Sequence, residues 1–251
     1  MGKLKVYADR MSQPSRAVLI FCRFNGIDFE EIKVDISKQH HLSLEFKEIN
    51  PLQKVPAIVH GSLKLSESHA ILVYLASAFP GIADHWFIEP LILHLYPKDL
   101  FRRAKINSVM DWHHSSLRHG AGTISYGHWK EHVCCKLLLT GRSTPPFAVN
   151  YATNTVLGPA LGRPLNPKAA AEAEKVLLSS LSTLEDVWLN GDGHFLLGGL
   201  QPSLADLSMV CELMQLEVLD EKDRSRILSP YKKVLQWIED TTYKNSNKSS
   251  L

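Results

Sequence analysis

Three short stretches of this chain carry residues whose types and spacing could do chemistry. In Pro51-Leu52-Gln53-Lys54-Val55-Pro56-Ala57, a proline follows Val55 at the mouth of the apolar run Ala57-Ile58-Val59. Proline there removes a backbone donor, and an X-Pro bond has ready access to the cis form, which turns neighbouring backbone groups outward. Val55 could then offer its N–H and C=O to an extended peptide, as in strand addition. One hairpin later, Glu67 and Ser68 precede Ile71, Leu72 and Leu75, whose spacing marks a helix face. The unpaired N–H groups and positive dipole end of such a helix start attract a carboxylate. The third stretch is Met11-Ser12-Gln13-Pro14, where a hydroxyl stands at the head of a helix that Pro14 opens. A peptide-pairing loop and an anion-seating helix start, one hairpin apart, describe a receptor for a small acidic peptide.

The elements that must position these residues can be read in order. Leu4, Val6 and Ala8 alternate with polar neighbours at the period of a strand. Ala17, Val18, Ile20 and Phe21 then run at helical spacing until Gly26, with Ser12 or Gln13 as the cap. A second strand (Phe29, Ile32, Val34), a short helix around Leu44 to Glu48, strands at Ala57 to Val59 and Leu63 to Leu65, and the helix after Ser68 complete the order β-α-β-α-β-β-α. Phe79-Pro80-Gly81 reads as a linker. Beyond it the pattern is helical: Leu100, Ala104, Val109 and Trp112 suggest one helix, and Leu177, Leu181, Leu184 and Trp188 another. Ser203 with Asp206 three positions on resembles a capping box opening a third, with Asp206 in a structural role. A last helix holds Val234, Trp237 and Ile238.

At 251 residues and 28.2 kDa, with 45% hydrophobic residues, the chain has room for one large or two modest domains. A net charge of +2 implies neither a nucleic-acid nor a membrane-surface partner. Cys22, Cys134, Cys135 and Cys211 contain no C-x-x-C spacing and suggest a reducing compartment. His128-x-x-x-His132 with the adjacent Cys134-Cys135 is not spaced for a tetrahedral zinc site, so no metal is expected. The start lacks an apolar signal region, and Phe87 to Leu95 is too short to span a bilayer.

The pattern Asn50-Pro51-x-x-Lys54-Val55-Pro56-Ala57-Ile58, followed by Glu67-Ser68-His69-Ala70-Ile71-Leu72-x-Tyr74-Leu75, resembles the glutathione transferases. Ser12 within Tyr7-Ala8-Asp9-Arg10-Met11-Ser12-Gln13-Pro14-Ser15-Arg16 looks like the theta class, plant-like. The resemblance implies a thioredoxin-like domain over 1–80, an all-helical domain over 96–243, and an electrophile pocket between them with Trp112, His113 and Arg118 as candidates for its wall. It implies glutathione as co-substrate, electrophilic small molecules as partners and a homodimer. Ser12 would be the catalytic residue. Ser12, Gln13, His41, Leu42, Lys54, Val55, Glu67 and Ser68 would bind glutathione, with His41 and Lys54 at its glycyl end. A free thiol has a pKa of about 8.5, and lowering it by about two units takes roughly 2.7 kcal/mol, within reach of one charge-assisted hydrogen bond plus a helix dipole. The hydroxyl would therefore stabilise a thiolate, which attacks the electrophile or reduces an organic hydroperoxide.

Several departures from the family pattern qualify this. Gln53 stands where the family usually has glycine, a residue suited to φ > 0. Ser66 replaces what is more often a large apolar residue. Residues 87–95 are an insertion in the linker, and about 123–152, with Gly127, Gly141, Pro145 and Pro146, form a second that interrupts a long helix. Both resemble a splice or gene-model product. After Asp240 the sequence turns polar where theta-like chains continue into a helix covering the active site. A catalytically impaired binding module with the same fold is therefore the alternative to an active enzyme. Ser249-Ser250-Leu251 is similar to the peroxisomal S-K-L address without its lysine, so cytoplasmic location is expected, with peroxisomal delivery the alternative.

Overall fold

The computed structural model describes residues 2–10, 12–36, 38–79, 99–118 and 166–246. The linker after Phe79, both expected insertions, the His128/Cys134 cluster and the last five residues lie outside the described residues.

The first part is the expected β-α-β-α-β-β-α unit: β1 (Leu4–Ala8), α1 (Gln13–Phe24), β2 (Phe29–Lys33), α2 (Leu44–Ile49), β3 (Ala57–His60), β4 (Leu63–Ser66) and α3 (Ser68–Ala78), with one 3-10 turn at His40–Leu42 before α2. The strand order is β2-β1-β3-β4, with β1 parallel to β2 and antiparallel to β3, and β3 antiparallel to β4. Alternation in β1 buries Leu4, Val6 and Ala8. Asn25 ends α1, its amide donating to the Phe21 carbonyl at 2.7 Å, and Gly26 follows at φ 63°, where a Cβ would be strained. Thus Gly26 stops the helix as its position implied.

The second part is helical: α4 (Leu100–Trp112), which widens into a π-turn over His113–Leu117; α5 (Pro167–Thr183), with a similar turn over Leu184–Trp188; α6 (Leu204–Leu213), continued by a 3-10 turn at Met214–Val218; α7 (Glu221–Leu228); and α8 (Lys232–Ser246). Leu177, Leu181 and Leu184 are all fully buried, as their spacing requires. For α4 the expected face needs correcting. Leu100 is 74% exposed and Ala104 is also exposed, whereas Ile106, Val109 and Met110 point inward. The apolar stripe starts two turns in. The last helix runs past Asp240 to Ser246, with Thr241 buried.

One apolar core joins the two parts, running from Val6, Phe21 and Leu72 through Val109 and Leu177 to Leu207 and Trp237. α1 is its hinge pin, packing on α3 on one side and on α6 on the other. Across that contact the Arg16 guanidinium donates to the Cys211 carbonyl at 3.2 Å. Because α1 begins at Ser12, the loop bearing this hydroxyl is fixed by both parts of the molecule.

Candidate functional site

The strand register gathers the chemistry-bearing residues. Ala57 lies opposite Tyr7 in β1 and opposite Ser66 in β4. The C-terminal end of β1, leading to Ser12, the N-terminal end of β3, preceded by Val55-Pro56, and the C-terminal end of β4, leading to Glu67-Ser68, therefore share one edge of the sheet. Since β2 is parallel to β1, the loop after Lys33, which leads to His41 and Leu42, leaves from the same edge.

The Val55–Pro56 peptide is cis, and Pro56 is buried beneath it. Among the described residues the Val55 N–H and C=O have no backbone partner, which leaves both for an extended ligand. The loop before it is held from inside. Asn50, itself buried, donates to the Lys54 carbonyl at 2.7 Å, and its own side-chain oxygen accepts from the Leu52 N–H at 3.1 Å. Lys54 is exposed, free to meet an anion.

Ser12 occupies the N-cap position of α1 with extended backbone (φ −80°, ψ 124°), yet its side chain makes no capping hydrogen bond. A serine that merely capped the helix would turn its hydroxyl back to the first-turn N–H groups; this one does not. Its backbone is pinned instead, with N–H to the Asp9 carbonyl and C=O to the Arg16 N–H, both at 2.9 Å. Gln13 is the first helical residue and is buried. Asp9 escaped the sequence reading. It is buried, and its carboxylate accepts from the Ile36 N–H at 2.9 Å, so it ties the Ser12 loop to the segment that carries His41. An Asp directly after a strand, at the start of a turn, is the signal that could have found it.

Among the described residues the buried Nδ1 of His41 has no hydrogen-bond partner. Burial pushes its pKa down, with the Asp9 charge opposing, so it stands neutral at neutral pH and offers a hydrogen bond rather than a charge. Leu42 is 49% exposed and can offer only backbone or apolar contact. Positive charge at this end rests with Lys54.

Glu67 is the N-cap of α3 at φ 68°, ψ 113°, a conformation side-chain-bearing residues rarely adopt, and its exposed side chain caps nothing. Such outliers persist where the surroundings over-determine them and cluster at binding sites. Buried Ser68 begins the helix, so the N–H groups of Ser68, His69 and Ala70 face the shared edge without helical partners.

Of the two departures in the loops, Gln53 takes up φ 54°, the conformation a glycine would adopt without cost. Gln53→Gly is expected to stabilise the fold by about 0.5–1 kcal/mol, the left-handed penalty of about 1–2 kcal/mol less the added freedom of the unfolded chain. Differential scanning calorimetry reads this as a rise of about 2 °C. A lowered midpoint would mean that the glutamine side chain contributes contacts of its own. Ser66 retains its strand pairing with Ala57. Two of the residues expected in a pocket wall are engaged elsewhere. His113 is completely buried, and Arg118 is hydrogen-bonded to the buried Glu212 at 3.0 Å. Trp112 is half-buried against Trp188, ring centres 5.8 Å apart.

A thioredoxin-like sheet whose cis-proline, N-cap-position serine and α3 helix start meet at one edge, packed on a helical domain, defines a two-domain class of thioredoxin-like proteins. Comparison with known proteins narrows it. The family described as "Glutathione S-transferase, N-terminal domain" matches residues 2–77, and "Glutathione S-transferase, C-terminal domain" matches residues 167–240. The chain is 60% identical over 241 residues to glutathione S-transferase T1 of Arabidopsis thaliana, covering 96% of this chain and 84% of that protein. Against glutathione S-transferase T2 of the same plant it is 59% identical over 95% of its length but spans only 34% of the relative. The solved structure of human glutathione transferase theta-2, in complex with glutathione and an unknown ligand, superposes with a TM-score of 0.74 at 30% identity, covering 98% of this chain and 83% of that one. The protein belongs to the glutathione S-transferase family, and its relatives include the theta class.

Proposed function

We propose that this protein transfers the thiolate of glutathione to electrophilic small molecules. The observation that carries the reading is the convergence of a Ser12 hydroxyl that makes no capping hydrogen bond, the open Val55 backbone and the Glu67-Ser68 helix start on one sheet edge. Glutathione is an extended peptide with a carboxylate at each end and a thiol between them. In this arrangement its cysteinyl backbone pairs with Val55, and the carboxylate of its glutamyl end meets the first-turn N–H groups of α3. The Glu67 carboxylate complements the ammonium group beside it. The glycyl carboxylate meets Lys54, with neutral His41 donating a hydrogen bond and Leu42 walling that end. This places the sulfur toward Ser12 and Gln13. There the Ser12 O–H donates to S⁻, and the dipole of α1, worth about half a positive charge at its start, favours the anion. Pro14 removes one first-turn donor, which leaves more of this task to the hydroxyl.

The reaction then needs no protein nucleophile. The sulfur lone pair forms the S–C bond, the electrophile's leaving group departs with its electron pair, and the thiol proton has already gone to solvent. With an organic hydroperoxide, the thiolate takes the distal oxygen to give alcohol and a sulfenic acid, which a second glutathione converts to disulfide and water. The protein acts as a symmetric dimer in the cytoplasm, the commonest oligomer and a reducing compartment that suits its free, buried Cys22 and Cys211.

The test is retention on immobilised glutathione, followed by conjugation of a chromogenic aryl halide. Both are expected; retention without turnover would identify a binding module, and no retention would overturn the reading. Lys54→Ala is expected to raise KM for glutathione about two- to fivefold with kcat little changed, because an exposed ion pair contributes at most about 1 kcal/mol. Steady-state kinetics with glutathione varied checks this, and a fall in kcat alone would place Lys54 elsewhere.

A further inference from the structure

His69 follows directly on Glu67-Ser68, yet its side chain turns toward the helical domain and begins a line of contacts that crosses the molecule. Its Nε2 lies 3.2 Å from Nδ1 of His113, on the π-turn after α4. The other nitrogen of His113 stands 3.4 Å from the Glu212 carboxylate on α6, long for a hydrogen bond and chiefly an electrostatic contact. Glu212 in turn accepts from Arg118 Nε at 3.0 Å and from the Gln215 amide at 2.7 Å. His113 and Glu212 are completely buried. The His114 and His69 rings also meet in a T-shaped contact, centres 6.3 Å apart, and His114 Nδ1 lies 3.2 Å from the Arg118 guanidinium.

The order of charges fixes the protons. Burial would raise the Glu212 carboxyl, but His113 and Arg118 outweigh it and hold the group below the usual carboxylate range, so it is ionised. A carboxylate facing Nε2 of His113 keeps the proton on that nitrogen and leaves Nδ1 as an acceptor. His69 must then present Nε2–H. Burial, with His113, Arg118 and His114 adding to it, pushes the His69 pKa down to about 3, so His69 is a neutral donor rather than a charge.

Glu67 supplies the reason such an anchor is needed. Its φ of 68° is held although its own side chain makes no cap, and a conformation so sparsely populated persists only when neighbours over-determine it. We propose that His69 is a positioning residue for the carboxylate seat: its hydrogen bond to His113, itself oriented by Glu212, fixes the first turn of α3 against the helical domain so that its N–H groups stay aimed at the ligand. This rests on the reading that the helix start seats a glutathione carboxylate, and it makes affinity for glutathione depend on a helix pair well outside the site.

The experiment is steady-state kinetics on the full chain with glutathione varied at saturating aryl halide, alongside calorimetric glutathione binding and thermal midpoints. His69→Leu removes the donor and His69→Gln keeps an N–H at similar reach; His69→Phe replaces the leucine variant should that one not fold. The donorless variant is expected to show KM for glutathione raised about fivefold, the effect of one net hydrogen bond. Its kcat should stay within twofold of the wild type, and His69→Gln should stay within twofold in both parameters. An unmoved KM in the donorless variant, equal impairment in His69→Gln, or a lowered midpoint with KM unchanged would each overturn the proposal while leaving the site reading intact. Wild-type protein that binds no glutathione would overturn both.

Discussion

Ser12→Ala is expected to lower kcat for conjugation about ten- to a hundredfold at pH 6.5 to 7 while KM for glutathione changes little. The hydroxyl is free of capping duty, so its removal costs the helix little and the bound thiolate one charge-assisted hydrogen bond, worth about 1.5–3 kcal/mol. Since each 1.36 kcal/mol is tenfold in rate, about one to two decades follow. The pH profile identifies the mechanism. Rate rises with pH as the bound thiol ionises and levels off above its pKa. Without the donor the thiol titrates nearer its free value of about 8.5, so the rise continues further. The deficit should therefore be largest near neutrality and shrink above pH 8.5. Ultraviolet titration of the bound thiolate gives the same pKa directly. A loss of equal size at every pH would mean that Ser12 positions the sulfur without ionising it, and an unchanged rate would remove Ser12 from the mechanism.

Asp206→Ala is expected to damage stability severely, on the order of 3–5 kcal/mol, since each of several buried donors left without an acceptor costs about 1–3 kcal/mol. Asp206 is completely buried and accepts from the Leu196 N–H at 2.9 Å, the Ser203 N–H at 2.7 Å, the Ser203 hydroxyl at 2.6 Å and the Trp237 indole N–H at 2.8 Å. Burial pushes its carboxyl above the usual range while these four donors pull the other way. Alanine leaves all four unpaired and dissolves the capping box of α6. It also frees α8, which Trp237 anchors. Thermal unfolding should show a midpoint lower by roughly 10 °C. Asp206→Asn, which accepts from two donors and turns an N–H₂ toward the others, should lose at least half as much; a midpoint within 2 °C of the wild type for either variant would contradict the assignment. Activity of folded protein at low temperature should survive, because Asp206 belongs to no part of the glutathione edge.

Much of this protein was legible because its signals are short-range. Pro56 after Val55, Pro14 after Ser12, Gly26 at the end of α1 and Ser203 with Asp206 are each decided within a few residues, where backbone sterics and local hydrogen bonds dominate. Those residues determined the order of elements, the helix starts and the peptide-pairing loop. They also determined the capping box, though its reach to Trp237, 31 positions away, was not readable.

Other features were decided only by packing. Whether Ser12 caps or stays free depends on its rotamer, which Asp9 and Arg16 constrain through the loop. The burial of α4 was misplaced only over its first two turns, at Leu100 and Ala104, while Val109 is buried as expected, because a period shows which residues share a face but not which part of it a neighbour covers. His113 read as a pocket wall and proved to be interior, since it continues the buried stripe of Ile106, Val109 and Met110 at helical spacing. The contacts of His69 with His113, and of Arg118 with Glu212, join positions 44 and 94 apart. No local pattern encodes such pairs; they exist because α4 and the turn after it pack on α6, which also meets α3. The sequence by itself determined the parts of the proposed site, and the tertiary structure decided which of those parts share one sheet edge and which hold the others still.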